Sequence, residues 1–168
     1  NKASNFEEFQ TALKEMALPG MNIIYADKDN NIMYLDNGHF PRRAKGYDWW
    51  HVLPGNTSAT NWKANDYYPY DTLLKVINPK CGYVFNNNNT PFNCTAKEDN
   101  PDRNTHPLKD YYFAYDDNRS LRTSYLFANS GKLTYDDFKK IKYDQSFMNP
   151  AFNYAMINIE DVLHLDTK

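Results

Sequence analysis

Two short apolar runs separated by a strongly polar turn place the firmest constraint on how this chain folds. Residues 21–27 and 32–36 are rich in Ile, Met and Tyr, and Lys28-Asp29-Asn30-Asn31 between them is typical of a tight turn. The pattern predicts an antiparallel β-hairpin. The turn begins like an EF-hand calcium loop, but Ile32 and Gly38 occupy its sixth and twelfth positions, so we reject that interpretation.

A helix is predicted on the N-terminal side of the hairpin. Ser4 and Glu7 have the spacing of a capping box, and the apolar residues that follow recur at helical intervals. This predicts a helix over residues 5–17, which Leu18-Pro19-Gly20 would end.

The C-terminal third is predicted to be mainly helical. Residues 119–128 favour a helix, and Thr134 opens a second capping sequence for a helix that reaches Tyr143. Residues 39–79 are rich in Pro, Gly, Asn and aromatic residues and predict long ordered loops with short extended pieces, and residues 82–85 predict a short strand. We therefore expect an α+β fold.

Composition limits the classes of partner. The chain has 168 residues, enough for one domain, and its 14 Tyr, 10 Phe and 3 Trp supply a core. The formal net charge is -2, and no basic stripe is present that would bind nucleic acid. No apolar run approaches the roughly 20 residues of a membrane helix. We expect neither a nucleic acid partner nor a membrane partner.

Cysteine and histidine spacing predicts no metal site. Cys81 and Cys94 have no further Cys or His at zinc-ligand spacing, and they can be either a disulfide or two thiols. No recurring ligand spacing joins the four histidines, which are His39, His51, His106 and His164.

The asparagine-rich run at residues 86–90, just before Pro91, is the most distinctive feature of the chain. A strand that ends in several amides and a proline can hold an Asn side chain rigidly. An amide N–H aimed at a developing oxyanion contributes strongly to acyl-transfer catalysis. The same composition is also typical of an ordinary polar turn, so residue types alone leave both interpretations open.

Six short motifs follow one another along the chain. They are NIIYAD at 22–27, NIMY at 31–34, GHFPRR at 38–43, LPG at 53–55, NPKCGY at 78–83, and the asparagine run that ends at Pro91. Their order and spacing resemble the penicillin acylase family, which includes penicillin G, acyl-homoserine-lactone and aculeacin acylases.

The resemblance implies part of an N-terminal nucleophile hydrolase with an αββα fold, made as a precursor that cleaves itself. A free N-terminal Ser would attack an amide such as a penicillin or an N-acyl side chain, with its own α-amino group as the base. Asn1 cannot be that nucleophile, so residues 1–168 would be an internal portion of the large subunit without a domain boundary. We expect the partners of this chain to be the rest of that subunit and the small subunit. We also expect the chain to be inactive by itself and to be periplasmic or secreted.

The resemblance also implies roles for particular residues. In this family the oxyanion-binding Asn lies three residues before the proline of the motif. Here that residue is Asn88, and Asn86 is the flanking member. An arginine near the start of a downstream helix would orient it, and Arg119 fits that place, with Arg122 as the alternative. The aromatic candidates for lining the acyl pocket are Tyr25, Trp49, Trp50 and Trp62.

Two further expectations concern metals and a rival function. Many members bind a structural calcium, but only Asp99, Asp102 and a backbone carbonyl near Asp48 or Trp49 fall in corresponding regions. We therefore expect no metal or cofactor in this chain, while structural calcium in the intact enzyme stays open. The rival from another class is a non-catalytic carbohydrate-binding module, because many aromatic and asparagine side chains suit sugar binding.

Overall fold

The computed structural model of the protein describes residues 2–148, so Asn1 and His164 lie outside the described range. Helices and a small antiparallel sheet are joined by long loops, which confirms the predicted α+β class. No helix in the described range has the length and apolar character needed to cross a membrane. The elements are α1 (Phe6–Lys14), β1 (Met21–Ala26), β2 (Ile32–Asn37), β3 (Lys75–Ile77), α2 (Asn118–Ala128) and α3 (Tyr135–Lys142).

The sheet has the order β1-β2-β3, and both pairs of neighbours are antiparallel. The first pair is the predicted hairpin, with Met21 opposite Asn37 and Ala26 opposite Ile32. Its turn is fixed by Asp27, whose carboxylate accepts hydrogen bonds from the backbone N–H of Asn31 and of a second turn residue. The hairpin prediction is therefore confirmed.

The central strand β2 is buried on both faces. Met33, Tyr34 and Leu35 are all 0% exposed. Side chains alternate along a strand, so Tyr34 lies on the opposite face from the other two. Its hydroxyl donates to Asn22 Oδ1 at 2.9 Å, which satisfies the polar group inside the core. A strand covered on both sides accounts for the continuous apolar run in the sequence.

The helix caps agree with the sequence at one helix and differ at another. The capping box predicted at Thr134 is confirmed at the start of α3. The box predicted for Ser4 and Glu7 is wrong by one residue, because Asn5 caps α1 and its side chain accepts from Glu8 N at 2.9 Å. Asn is as good a cap as Ser, so sequence preference could not separate the two positions. Both predicted C-terminal helices are present.

The third strand is not where the sequence placed it. Residues 82–85 form no strand, although Phe85 N–H donates to Cys94 O at 2.8 Å, because this pairing does not extend into a ladder. The strand is β3, within residues 39–79, which were predicted to be long loops with short extended pieces and no assigned strand. Three residues give too little alternation to separate a strand from an extended loop.

Both cysteines are free thiols in the structure. Cys81 is exposed and its Sγ lies 3.0 Å from Thr95 Oγ1, whereas Cys94 is buried in the core. Burial raises the pKa of the Cys94 thiol to about 12, which keeps it protonated and unreactive at neutral pH.

Shortening one buried side chain of the central strand should show how strongly the stability of the fold depends on its packing. We expect Leu35→Ala, at a fully buried position, to lower the free energy of unfolding by about 2–5 kcal/mol. Leu121→Ala, at a position of α2 that is 40% exposed, is the matched control and should change it by less than about 0.5 kcal/mol. Urea unfolding followed by circular dichroism measures both values, and equal losses would contradict the assignment of the core.

Asp36 near the end of β2 should make stability depend on pH. Burial raises the pKa of its carboxyl to about 6, against about 3.9 in an unfolded chain. Because the folded pKa is the higher one, the stabilisation is complete below about pH 4 and is lost as pH rises through 6. Asp36→Asn should therefore match the wild type at pH 4 and be more stable by up to about 3 kcal/mol at pH 7.5.

The measurement is urea unfolding of both proteins across this pH range. Asp29→Asn, at an exposed turn position, controls for the loss of one negative charge. A difference between wild type and Asp36→Asn that stays constant with pH would refute the prediction.

Candidate functional site

Residues 86–93, here called the asparagine loop, are held in shape by their own side chains. Asn86 Oδ1 accepts from Asn88 N at 2.9 Å, and Asn89 Oδ1 accepts from Asn87 N at 2.7 Å. Asn89 is 4% exposed, and its amide donates to the backbone carbonyls of Thr90 and Asn93. The run is therefore an internally bonded loop rather than a solvated turn.

Asn88 lies at the exposed tip of this loop in a left-handed backbone conformation, with φ 61°. Asn adopts this region more readily than most residues. Its side-chain oxygen Oδ1 accepts from both terminal nitrogens of Arg119, at 3.4 and 3.5 Å. Its Nδ2 donates to no group within residues 2–148. The amide is thus oriented with its oxygen toward the arginine and its two N–H donors available.

Arg119 is itself held by the residue that starts α2. Asp117 caps this helix by accepting from Ser120 N at 2.9 Å through Oδ1. Its other oxygen accepts from Arg119 Nε and lies 3.1 Å from an Arg119 terminal nitrogen. A chain of contacts therefore runs from the N-terminus of α2 through the guanidinium to the Asn88 amide.

Arg122, the alternative arginine, has a different partner. It forms a two-point ion pair with Asp144, at 2.9 and 3.0 Å, and this pair ties α2 to the segment after α3. The pairing raises the pKa of Arg122 and lowers that of Asp144. The structure thus places Arg119, and not Arg122, against Asn88.

A hydrogen bond joins the two ends of the segment that connects the asparagine loop to α2. Asn93 Nδ2 donates to Asp116 Oδ2 at 2.9 Å, so the two ends of residues 94–115 lie next to each other. Burial raises the pKa of Asp116, and its Oδ1 is buried without a hydrogen-bond partner among the described residues.

An open cleft of about 800 Å³ lies beside this cluster, between the asparagine loop, α2 and α3. Its polar wall includes Asn87 and Arg119. Its apolar lining comprises Ile24, Val84, Phe85, Leu126, Phe127, Phe138, Ile141 and Phe147. Polar and charged residues make up the rest of its lining, and Asn88 is not among them.

The four aromatic candidates lie elsewhere, and none of them lines this cleft. Tyr25 packs against α1, with its ring centroid 4.7 Å from that of Phe9. Trp49 and Trp62 lie 6.2 Å apart with their planes inclined by 37°, so they do not form one flat surface for a sugar. Trp50 is 57% exposed. Their assignment to an acyl pocket stays a prediction.

The carboxylates that fall in the calcium region accept hydrogen bonds from backbone N–H groups. Asp99 accepts from Cys81 N at 2.8 Å, and Asp102 accepts from Asn104 N at 2.9 Å. Across the described part of the chain, no three His, Cys, Asp or Glu side chains gather closely enough to hold a metal ion.

Sequence reasoning missed two features of this cluster. Asp117 lies two residues before the predicted helix and three before Ser120, so its cap could have been found, but its second contact to Arg119 could not. The contact of Asn87 with Thr123 joins residues 36 positions apart and leaves no local signal.

Comparison with known proteins identifies the family of this chain. The family model for penicillin amidase matches residues 1–157. Over 90 residues the chain is 38% identical to penicillin G acylase of Escherichia coli, a match that covers 54% of this chain and 10% of that protein. The matched part is therefore about a tenth of that relative's length. A family match across nearly all of the sequence shows that this chain belongs to the penicillin amidase family.

Proposed function

We propose that this chain is an internal part of the large subunit of an amidohydrolase with the αββα fold of N-terminal nucleophile hydrolases. The hydroxyl of a serine upstream of the chain attacks the carbonyl of a linear amide, such as a penicillin or another N-acyl compound, and the amine leaves. Water then hydrolyses the acyl-serine ester, which releases the carboxylic acid and regenerates the serine. Membership in the penicillin amidase family supports the reaction class. The same proposal includes a periplasmic or secreted location.

The orientation of the Asn88 amide is the observation that carries this proposal. Arg119 engages the amide oxygen, so the N–H groups point away from the guanidinium and are available to a negatively charged oxygen. Two N–H donors held before the reaction stabilise charge that develops on the carbonyl, without reorganisation during the step. The exposed position of Asn88 gives a substrate carbonyl access to it.

The sheet supports the view that other parts of the protein complete the site. Within residues 2–148, β1 is an edge strand, and its Met21 and Ile24 are 43% and 48% exposed. Apolar side chains on an unpaired edge favour pairing with a further strand. The proposed partners are the remainder of the large subunit, which supplies the serine, and the small subunit. The isolated chain is then inactive, because it lacks the nucleophile.

Replacement of Asn88 in the full-length protein tests the assignment. Glycine tolerates the left-handed backbone at φ 61°, so Asn88→Gly removes the side chain with little backbone strain. We expect kcat for hydrolysis of a chromogenic phenylacetyl or fatty-acyl amide to fall about 10²- to 10³-fold, with KM little changed. Asn88→Asp, which keeps the shape but replaces the donors with a carboxylate, should lose at least as much.

The matched control is Asn65→Gly, at another exposed asparagine with a left-handed backbone, φ 62°. It should retain wild-type kcat and KM. Wild-type turnover by Asn88→Gly with every amide that the enzyme cleaves would rule out the proposed role.

A further inference from the structure

The contact between Asn87 and Thr123 is the shortest side-chain link between the asparagine loop and α2. Asn87 Nδ2 donates to Thr123 Oγ1 at 2.6 Å and to the backbone carbonyl of Arg119 at 3.2 Å. Both Asn87 and Thr123 are half-buried. One amide group therefore bonds to two successive turns of the helix.

The polar face of α2 is arranged to receive the loop. Residues three and four apart share one side of a helix, so Arg119, Ser120, Thr123 and Ser124 form a stripe. Arg119 reaches Asn88, Thr123 bonds to Asn87, and Ser124 Oγ donates to Asn93 Oδ1 at 3.4 Å. Asn87 and Asn88, which are neighbours at the loop tip, thus contact α2 at two positions that lie one helical turn apart.

The link at Asn88 cannot fix the tip by itself. The hydrogen bonds from Arg119 are 3.4 and 3.5 Å long, and the arginine side chain is 61% exposed, so this contact is weak and screened by solvent. The contact at Asn87 is nearly 1 Å shorter and partly shielded from water. A hydrogen bond at one residue restricts the backbone of the next, and so the position of Asn88 depends on Asn87.

We propose that Asn87 and Thr123 form a clamp that positions Asn88 for oxyanion binding, which makes both of them positioning residues. This inference rests on the proposed function. The clamp holds the Asn88 amide at a fixed distance from the reacting carbonyl, and misplacement by about 1 Å is enough to reduce an enzymatic rate about 100-fold. Loss of the clamp lowers the rate through Asn88 alone.

The experiment compares Thr123→Val with Thr123→Ser in the full-length protein. Valine keeps the shape of threonine and removes the hydroxyl, so we expect kcat to fall about 10-fold with KM little changed. Serine keeps the hydroxyl and should restore most of the activity. Thr11→Val, at an exposed position of α1, controls for a threonine-to-valine change in a helix. Asn87→Asp, which removes the two N–H donors, should reproduce the loss even if Thr123→Val folds poorly.

A double-mutant cycle with Asn88→Gly separates positioning from general destabilisation. When Asn88 is already glycine, Thr123→Val should have no further effect on kcat. A loss of similar size in both backgrounds would overturn the clamp.

The two proposals fail in distinguishable ways. If Asn88→Gly lowers kcat but both Thr123→Val and Asn87→Asp retain it, the clamp is wrong and the proposed function stands. If the wild-type full-length protein hydrolyses no linear amide, the proposed function itself is wrong. If it does and Asn88→Gly retains wild-type kcat, the role of Asn88 is wrong, and the clamp with it.

Discussion

The burial of β2 on both faces is the constraint on which the rest of the structure depends. Met33, Tyr34 and Leu35 are shielded completely, and the strands on either side are set by their pairing with β2. One face of the sheet meets α1 through Tyr25, and the other carries Ile24, which lines the cleft beside the asparagine loop. A single apolar strand therefore separates the structural side of the molecule from the side that holds the candidate site.

The site itself is built from polar groups that satisfy one another. The amides of the asparagine loop bond to one another and to backbone groups, and its connection to α2 uses a short amide-to-hydroxyl bond. Asp117 contributes twice, as the cap of α2 and as the partner of Arg119. Within such a network each group limits the freedom of its neighbours. Asn88 is the asparagine of this loop whose side-chain oxygen accepts from a guanidinium, and this distinguishes it chemically from the asparagines around it.

Local patterns in the sequence predicted the hairpin, the helices and the capping box at Thr134, because alternation, helical periodicity and caps are short-range signals. The cap of α1 was displaced by one residue, since Ser4 and Asn5 are both good caps. β3 lies in a region predicted as loops with short extended pieces, and it was not assigned as a strand because its three residues gain their strand character from pairing with β2. Family resemblance directed attention to Asn88 and Arg119, which lie together. The link of Asn87 to Thr123 depends on tertiary structure and has no counterpart in any local pattern.

The hydrogen bond between Asn93 and Asp116 has a consequence for how such a protein can evolve. It joins the two ends of residues 94–115 directly, and the asparagine loop and α2 lie on the far side of that junction. Insertions or deletions confined to the tip of the enclosed segment can then change its length without altering the spacing between the loop and the helix. Related proteins could thus differ in the length of this surface loop and still keep the contact between the Asn88 amide and the Arg119 guanidinium.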